Sequence, residues 1–144
     1  MLTAGDFMTN DVVSVNKDTP IYEALELLRK NDIAGMPVIE DDMTLVGVIT
    51  EKDVLKLFFT EGYSQNKTVN FFMTRPAISF GEDESLESVC DFLMVKYFRR
   101  VPIVSTKGKL VGIISRPDII DYIIEQRQQN DQTPLKTSVI SNAS

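Results

Sequence analysis

The sequence predicts a mixed α/β fold made of two tandem β-α-β-β-α repeats that pack as one pseudo-two-fold module. The first observation is an internal repeat: a shift of 65 residues aligns residues 3–55 with residues 68–120 without a gap, and 13 of the 53 pairs are identical. The second is that each copy alternates short β-like runs with helical patterns. The third is size, because a copy of about 55 residues buries little surface alone. We therefore expect the copies to pack face to face around one core.

Each copy begins with a strand and a helix. Residues 12–15 and 77–80 are short β-like runs. Thr19 and Pro20 offer an N-cap and a first-turn proline for the next helix, and residues 83–85 provide the same signal in the second copy. Apolar residues then recur at helical spacing, and these are Ile21, Ala24, Leu25 and Leu28, then Leu86, Val89, Cys90 and Leu93.

A hairpin and a second helix complete each copy. The hairpin strands are residues 36–39 with 45–49, and 101–104 with 110–114. The second helix is predicted to begin at Thr50 or Ser115. It should direct apolar side chains inward, namely Val54, Leu57, Phe58, Ile119, Ile120, Ile123 and Ile124. The predicted boundaries are 3–57 and 68–125 for the repeats, 58–67 for the connection and 126–144 for a polar, disordered tail.

Composition narrows the function. The net charge of −6 opposes nucleic-acid binding, which needs a basic surface, and no apolar run approaches the length of a membrane span. The start of the chain lacks the pattern of a signal peptide, and Cys90 is the single cysteine, so we expect a cytoplasmic protein. There is no histidine, the usual general base and the commonest zinc ligand. We therefore expect no enzyme, catalytic cofactor or metal site.

Two matching segments, residues 47–53 and 112–118, carry the most chemistry. Each has glycine, then a hydroxyl residue, then aspartate three residues later: Thr50 with Asp53, and Ser115 with Asp118. One interpretation is a capping box that stabilises the start of a helix. The other is a nucleotide site, with phosphate near the helix start, the carboxylate on the ribose hydroxyls, and glycine allowing close approach of the ligand. The pattern alone leaves both open.

The ordered pattern of Met-Thr, helix, apolar-Pro-apolar and Gly-aliphatic-Ile-(Thr/Ser)-x-x-Asp resembles the cystathionine-β-synthase (CBS) domain. The resemblance covers about residues 3–125 and occurs twice, as in the tandem pair called a Bateman module. It implies a regulatory module that binds AMP, ADP, ATP or S-adenosylmethionine in clefts between the copies. It also implies a homodimer and a regulated partner, which the sequence does not identify. A structural or protein-interaction module with vestigial clefts is the alternative.

The resemblance also implies which residues bind. The Asp53 cleft would use Val48, Thr50, Ala77, Ile78, Arg99 and Arg100. The Asp118 cleft would use Ile113, Ser115, Val12, Val13, Ala34 and Gly35. Core packing is an equally good interpretation of Val12, Val13 and Ile78, as is a solvated charge pair for the two arginines. Because guanidinium groups suit phosphate, the Asp53 cleft should prefer a phosphorylated ligand. The Asp118 cleft lacks the arginine pair, with Arg116 and Lys96 as partial substitutes, and would be empty or take an uncharged or cationic adenosyl group.

Overall fold

A computed structural model describes residues 1–59, 67–95 and 97–130. A short helix, α1 (Ala4–Phe7), precedes the first repeat. The first repeat comprises β1 (Val15–Asn16), α2 (Ile21–Lys30), β2 (Gly35–Ile39), β3 (Leu45–Thr50) and α3 (Glu51–Val54). The second comprises β4 (Phe80–Gly81), α4 (Leu86–Val95), β5 (Arg100–Val104), β6 (Leu110–Ser115) and α5 (Arg116–Asn130). Single 3₁₀ turns occupy Leu55–Phe59 and Val69–Phe71.

The two sheets have the same topology. In each, the first strand pairs parallel with the second, and the second pairs antiparallel with the third. This confirms the predicted repeat fold and both hairpins. The first strands are shorter than predicted, because only Val15 and Phe80 of the expected runs belong to β1 and β4. Val12, Val13, Ala77 and Ile78 instead lie before those strands, outside regular secondary structure.

The first helix of each repeat forms because one of its faces is apolar. In α2, Ile21, Ala24 and Leu28 are buried. The predicted cap differs by one residue, since Pro20 stands at the N-cap and gives no side-chain hydrogen bond. In α4, the Ser88 N–H donates to Ser85 Oγ at 3.1 Å, so the predicted polar start is confirmed there.

The structure has two hydrophobic cores, and each is completed by the chain that precedes the other repeat. Ala4 is fully buried in the core of the second repeat, with Leu2, Phe7 and Met8 packed beside it. Val69 is fully buried in the core of the first repeat, with Phe72 and Met73 beside it. The expectation of one shared core is therefore wrong: the repeats exchange their leading segments and keep separate cores.

The second helices differ from the prediction in two ways. Phe58 is 83% exposed, and Ile120, Ile123 and Ile124 are 46–59% exposed, so these side chains do not point inward as expected. Helix α5 also continues to Asn130, beyond the predicted repeat boundary at residue 125. Gln and Arg have good helix propensity, so residues 126–130 extend the last turns. The rest of the predicted tail, 131–144, and most of the connection, 60–66, lie outside the described residues. Within the described residues, no helix is both long and apolar enough to cross a membrane.

The two hairpin turns meet in a pseudo-symmetric contact. Leu45 N–H donates to Gly108 O at 3.1 Å, and Leu110 N–H donates to Met43 O at 2.9 Å. Met43 and Gly108 are 65 residues apart and both adopt a left-handed backbone, with φ of 74° and 78°. The Asp42 carboxylate and the Lys109 ammonium form an ion pair at 2.8 Å across this contact.

Candidate functional site

Both predicted Gly-x-x-(Thr/Ser)-x-x-Asp segments span the junction between a strand and a helix. Thr50 ends β3, and its N–H donates to Asp53 Oδ2 at 2.9 Å while Asp53 N–H donates to Thr50 Oγ1 at 3.3 Å. In the second repeat, Ser115 N–H donates to Asp118 Oδ2 at 3.0 Å and Asp118 N–H donates to Ser115 Oγ at 3.3 Å. The capping-box interpretation is confirmed in both copies. It leaves one oxygen of each carboxylate for another partner.

The Met-Thr segments run beside the strands of the opposite repeat. Thr74 and Val48 exchange two backbone hydrogen bonds of 2.8 and 2.9 Å, and Thr9 and Ile113 exchange two of 3.0 Å. The aspartate of each capping box therefore lies near the chain that leads into the first strand of the other repeat. This is the crossed arrangement that the resemblance implied.

Gly47 and Gly112 serve this crossing rather than the approach of a ligand. A Cβ on Gly47 would lie 2.7 Å from Thr74 O and 2.9 Å from Met73 Sδ. A Cβ on Gly112 would collide with the Met8 side chain. The space in front of both glycines is already filled by protein, so the expected role of glycine in admitting the ligand is wrong.

A cavity of about 220 Å³ opens beside Asp118 and is bounded by both repeats. Its lining residues are Thr9, Asp11, Val13, Ile33, Gly35, Arg100, Ile113, Ser115 and Asp118. Four of the residues predicted for the Asp118 cleft line this cavity with Asp118, namely Val13, Gly35, Ile113 and Ser115. Val12 is half-buried, Ala34 is exposed, and neither side chain lines the cavity.

Arg100 lines the Asp118 cavity, which corrects the expectation that this cleft lacks the arginines. The cause is the register of the second sheet, in which Arg100 at the start of β5 pairs with Ser115 at the end of β6. Gly35, its equivalent in the first repeat, pairs with Thr50 in the same way and lines the same cavity. The two strand starts therefore meet in one cleft, and only one of them carries a charge.

The other predicted basic residues do not reach this cavity. Arg99 is exposed, and its carbonyl accepts the N–H of Arg116 at 2.9 Å. The Arg116 Nε donates to Leu93 O at 3.0 Å, at the end of α4, which directs this side chain away from the predicted role near phosphate. Lys96 lies outside the described residues.

The Asp53 side is arranged differently. Asp53 is 9% exposed, and its Oδ1 accepts a hydrogen bond from the Thr74 hydroxyl at 3.0 Å. Val48 is half-buried, Ala77 is half-buried, and Ile78 is 48% exposed. The structure brings Val48 beside the segment that leads to Ala77 and Ile78, but the aspartate that they would accompany is bonded to protein.

The charges in the Asp118 cavity are two carboxylates, Asp11 and Asp118, and one guanidinium, Arg100. Among the described residues, neither Asp11 nor Arg100 forms an ion pair, because the only two ion pairs there are Lys17 with Asp18 and Lys109 with Asp42. An unpaired guanidinium beside a hydroxyl residue and a carboxylate suits a ligand that carries both an anionic group and neighbouring hydroxyls.

Sequence reasoning missed Thr9, Asp11 and Ile33 as lining residues. Thr9 belongs to the repeated Met-Thr pair, so its repetition was a usable signal. Ile33 lies two residues before Gly35, and it could have been found by extending the hairpin strand backwards. Asp11 has no counterpart in the second copy, where Pro76 stands, and nothing in the pattern marks it.

A second depression, of about 310 Å³, lies on the first repeat beside the β2-β3 turn. It is lined by Lys17, Asp18, Glu40, Asp41 and Asp42. Four of these five side chains are carboxylates, so the depression repels phosphate. It offers no match to the predicted ligands.

Comparison with known protein families identifies the family of this chain. The family model for the CBS domain matches residues 4–60 and 68–125. The chain belongs to the CBS domain family. The CBS domain-containing protein CBSX2, chloroplastic, of Arabidopsis thaliana is 30% identical over an alignment 160 residues long, which covers 91% of this chain and 67% of that protein.

Solved CBS structures share the fold. The crystal structure of CBSX2 in complex with AMP matches with a TM-score of 0.78 and 34% identity, covering 88% of this chain and 99% of that one. The CBS domain pair of a second protein, solved with 5′-methylthioadenosine and S-adenosyl-L-methionine, matches with a TM-score of 0.69 and 27% identity over 86% of this chain and 97% of that one. This chain is therefore a tandem CBS pair in sequence and in fold.

Proposed function

We propose that this CBS pair is a regulatory module that binds an adenosyl ligand in the Asp118 cleft, with AMP as the first candidate. The observation that carries the proposal is the cavity bounded by both repeats, in which the Asp118 carboxylate and the unpaired Arg100 guanidinium lie together. The carboxylate would accept the ribose hydroxyls, and Arg100 would bind the phosphate. Val13, Ile33 and Ile113 supply apolar surface for the base. The AMP complex of CBSX2 supports this choice of ligand.

Calorimetric titration of the whole chain with AMP and with adenosine tests the proposal. Asp118→Asn should weaken the binding of both ligands by roughly tenfold or more, because each loses hydrogen bonds to a charged acceptor. Arg100→Ala should weaken AMP binding by a similar factor and leave adenosine almost unchanged. Arg99→Ala is the matched control. It removes the same charge from the neighbouring residue, whose side chain is exposed. Equal losses for Arg99→Ala and Arg100→Ala would contradict the phosphate role of Arg100.

The identity of the ligand is tested with a panel. ADP and ATP share the adenosyl and phosphate groups of AMP, and S-adenosylmethionine replaces the phosphate with a charged amino acid. We propose AMP first because one guanidinium faces two carboxylates in the cleft, which disfavours a longer chain of negative phosphates. Thermal shifts with all four should rank AMP above ATP. No shift with any of them would favour the alternative, a protein-interaction module with vestigial clefts.

We propose a non-catalytic role, in which ligand occupancy is communicated to a partner protein. The chain has no histidine, and the carboxylates of both repeated motifs cap helices instead of facing a nucleophile. Incubation of AMP, ADP and ATP with the pure protein, followed by chromatography, should return each nucleotide unchanged. Conversion of any of them would contradict this role. Affinity capture from cells with and without AMP would identify the regulated partner.

A homodimer is the second part of the proposal, and two exposed apolar patches support it. The first patch lies on the 3₁₀ segment that follows α3 and consists of Leu55, Phe58 and Phe59, which are 66%, 83% and 80% exposed. The α5 patch is Ile120, Ile123 and Ile124, which are 55%, 59% and 46% exposed. These residues match one by one under the 65-residue shift, so a second copy related by two-fold symmetry would cover both patches with equivalent surface.

Light scattering should therefore give a dimer mass at micromolar concentration. Phe58→Asp and Ile123→Asp should each shift the mass toward the monomer, because a carboxylate in an apolar contact is costly to bury. Phe71→Asp is the control, since Phe71 is also exposed, at 65%, and lies outside both patches. A monomeric wild-type protein would contradict the proposal.

We also propose that the module works in the cytoplasm. Cys90 is a free, half-buried thiol, which suits a reducing compartment. The related CBSX2 is described as chloroplastic, so organelle fractionation against the cytosol is the direct test.

A further inference from the structure

The two equivalent aspartates have different hydrogen-bond partners. Both carboxylate oxygens of Asp53 accept hydrogen bonds from protein: its Oδ2 accepts the Thr50 N–H at 2.9 Å and the Thr50 hydroxyl at 3.0 Å, and its Oδ1 accepts the Thr74 hydroxyl at 3.0 Å. The residue is only 9% exposed. The oxygen that a ribose hydroxyl would bond, Oδ1, therefore already has a hydroxyl partner from the chain itself.

Asp118 has one carboxylate oxygen that accepts no hydrogen bond from the described residues. Its Oδ2 accepts the Ser115 N–H at 3.0 Å, and among the described residues no group donates to its Oδ1. Thr9 is the residue that corresponds to Thr74, and it lines the same cavity as Asp118 without a hydrogen bond from its hydroxyl to the carboxylate. Asp118 is also half-buried rather than buried, so it is open to the cleft.

Two backbone hydrogen bonds fix Thr74 in the position from which its hydroxyl reaches Asp53. Its N–H donates to Val48 O at 2.8 Å, and Val48 N–H donates to Thr74 O at 2.9 Å, so the segment is tied to β3 from both sides. The hydroxyl lies on a residue of the second repeat and the carboxylate on a residue of the first. The bond therefore joins the two repeats beside the carboxylate that a ligand in a symmetric second site would bind.

We infer that Thr74 is the residue that limits this CBS pair to one ligand, because its hydroxyl occupies at Asp53 the position that a ribose hydroxyl takes at Asp118. The inference rests on the proposed function, since it uses the same mode of ribose recognition. Asp53 is then an internal connection between the repeats, and Asp118 is the aspartate that binds the ligand. A vicinal diol that binds Asp53 must displace the hydrogen bond from Thr74, whereas Asp118 Oδ1 accepts no hydrogen bond from the described residues.

The number of AMP molecules bound per chain tests the inference. Calorimetry and native mass spectrometry should give one AMP per wild-type chain. Thr74→Ala removes the hydroxyl and vacates the position beside Asp53 Oδ1, so it should raise the stoichiometry to two. Thr106→Ala is the matched control, because Thr106 is exposed in the turn between β5 and β6 and should leave one AMP per chain.

The same measurements should distinguish the roles of Asp53 and Asp118. Asp53→Asn should lower the melting temperature and leave the affinity for AMP within about twofold, while Asp118→Asn should lower the affinity at least tenfold. If Thr74→Ala lowers the yield of folded protein, Thr74→Ser provides the second test, since it retains the hydroxyl and must keep one ligand. Two AMP molecules on the wild-type chain, or one on Thr74→Ala, would overturn the inference alone. An absence of AMP binding in every variant would overturn the proposed function, and the inference with it.

Discussion

Replacing Gly47 with alanine tests the crossing of the two repeats. The added Cβ would lie 2.7 Å from the backbone oxygen of Thr74, and ordinary contact begins at 3.4 Å, so β3 and the crossing segment must separate by about 0.7 Å. The two hydrogen bonds between Val48 and Thr74, now 2.9 and 2.8 Å, would then stretch beyond useful length. Overpacking of this kind costs about 1–3 kcal/mol, and two weakened hydrogen bonds add about 1 kcal/mol.

The expected loss of unfolding free energy for Gly47→Ala is therefore about 3 kcal/mol, or roughly 10 °C in melting temperature for a chain of this size. Gly112→Ala should cost about 1–3 kcal/mol, because the new methyl group meets Met8 as far back as its Cβ, at 2.9 Å, and only the outer atoms of that side chain can rotate away. Met8→Ala should partly rescue Gly112→Ala, whereas Met73→Ala should not rescue Gly47→Ala, since the backbone contact with Thr74 remains.

Gly81→Ala is the control for these variants. The nearest atom to its new Cβ is Glu84 Oε2 at 3.8 Å, an ordinary contact, so stability should stay within about 0.5 kcal/mol or rise slightly. Urea denaturation followed by circular dichroism gives the comparison. The steric argument fails if Gly47→Ala unfolds at the same urea concentration as Gly81→Ala, or if Met73→Ala restores it.

Two further predictions concern the hairpin turns. Gly108→Ala should lower the unfolding free energy by about 1 kcal/mol. The cost comes from the left-handed φ of 78° alone, because no atom lies within 4 Å of the new Cβ. Met43→Gly should raise the unfolding free energy by up to about 1 kcal/mol, and urea denaturation that shows Gly108→Ala stabilised or Met43→Gly destabilised would contradict this. The hydrogen bond with the Lys109 side chain, and then those with Thr44, hold the pKa of Asp42 well below its usual value, so its stabilising effect is complete above about pH 4 and is lost as the pH falls further. The difference in melting temperature between wild type and Asp42→Asn should stay constant from pH 7 to about pH 4.5 and shrink below that. A difference that vanishes by pH 5.5 would exclude this ion pair as its source.

Much of the fold follows from the sequence because the repeat constrains it twice. The hairpins of residues 36–49 and 101–114 were predicted to within one residue at each end, since a buried apolar run on either side of a polar turn has few alternatives. The predicted first strands were too long, because Val12 and Val13 are β-branched, and local propensity does not reveal that the sheet ends at Val15.

The site was only partly predictable. Asp118, Ser115 and Gly35 were predicted together, and the structure places them around one cavity. The sequence did not predict that Arg100 lines the Asp118 cleft. The two copies share the same motif, and no local pattern decides which of the two clefts the first residue of β5 faces. The bond between Thr74 and Asp53 joins residues 21 positions apart through the crossing, so no short-range pattern contains it.

The exposed second helices show the same limit. Periodicity marks Ile120, Ile123 and Ile124 as apolar but does not say what covers them. A helix that is apolar on several faces is equally consistent with a deep core and with a subunit interface.

The exchange of leading segments means that a sequence repeat in this protein is not a folding unit. A protease cut between the repeats would leave the first half without Val69 and the second without Ala4, two side chains that are fully buried in the opposite half. Neither fragment could close its own apolar cluster, so the two halves should melt in a single transition despite having two cores. A ligand bound in the Asp118 cleft would consequently protect distant parts of the first repeat from unfolding. Amide hydrogen exchange should therefore become slower in both repeats when the ligand binds.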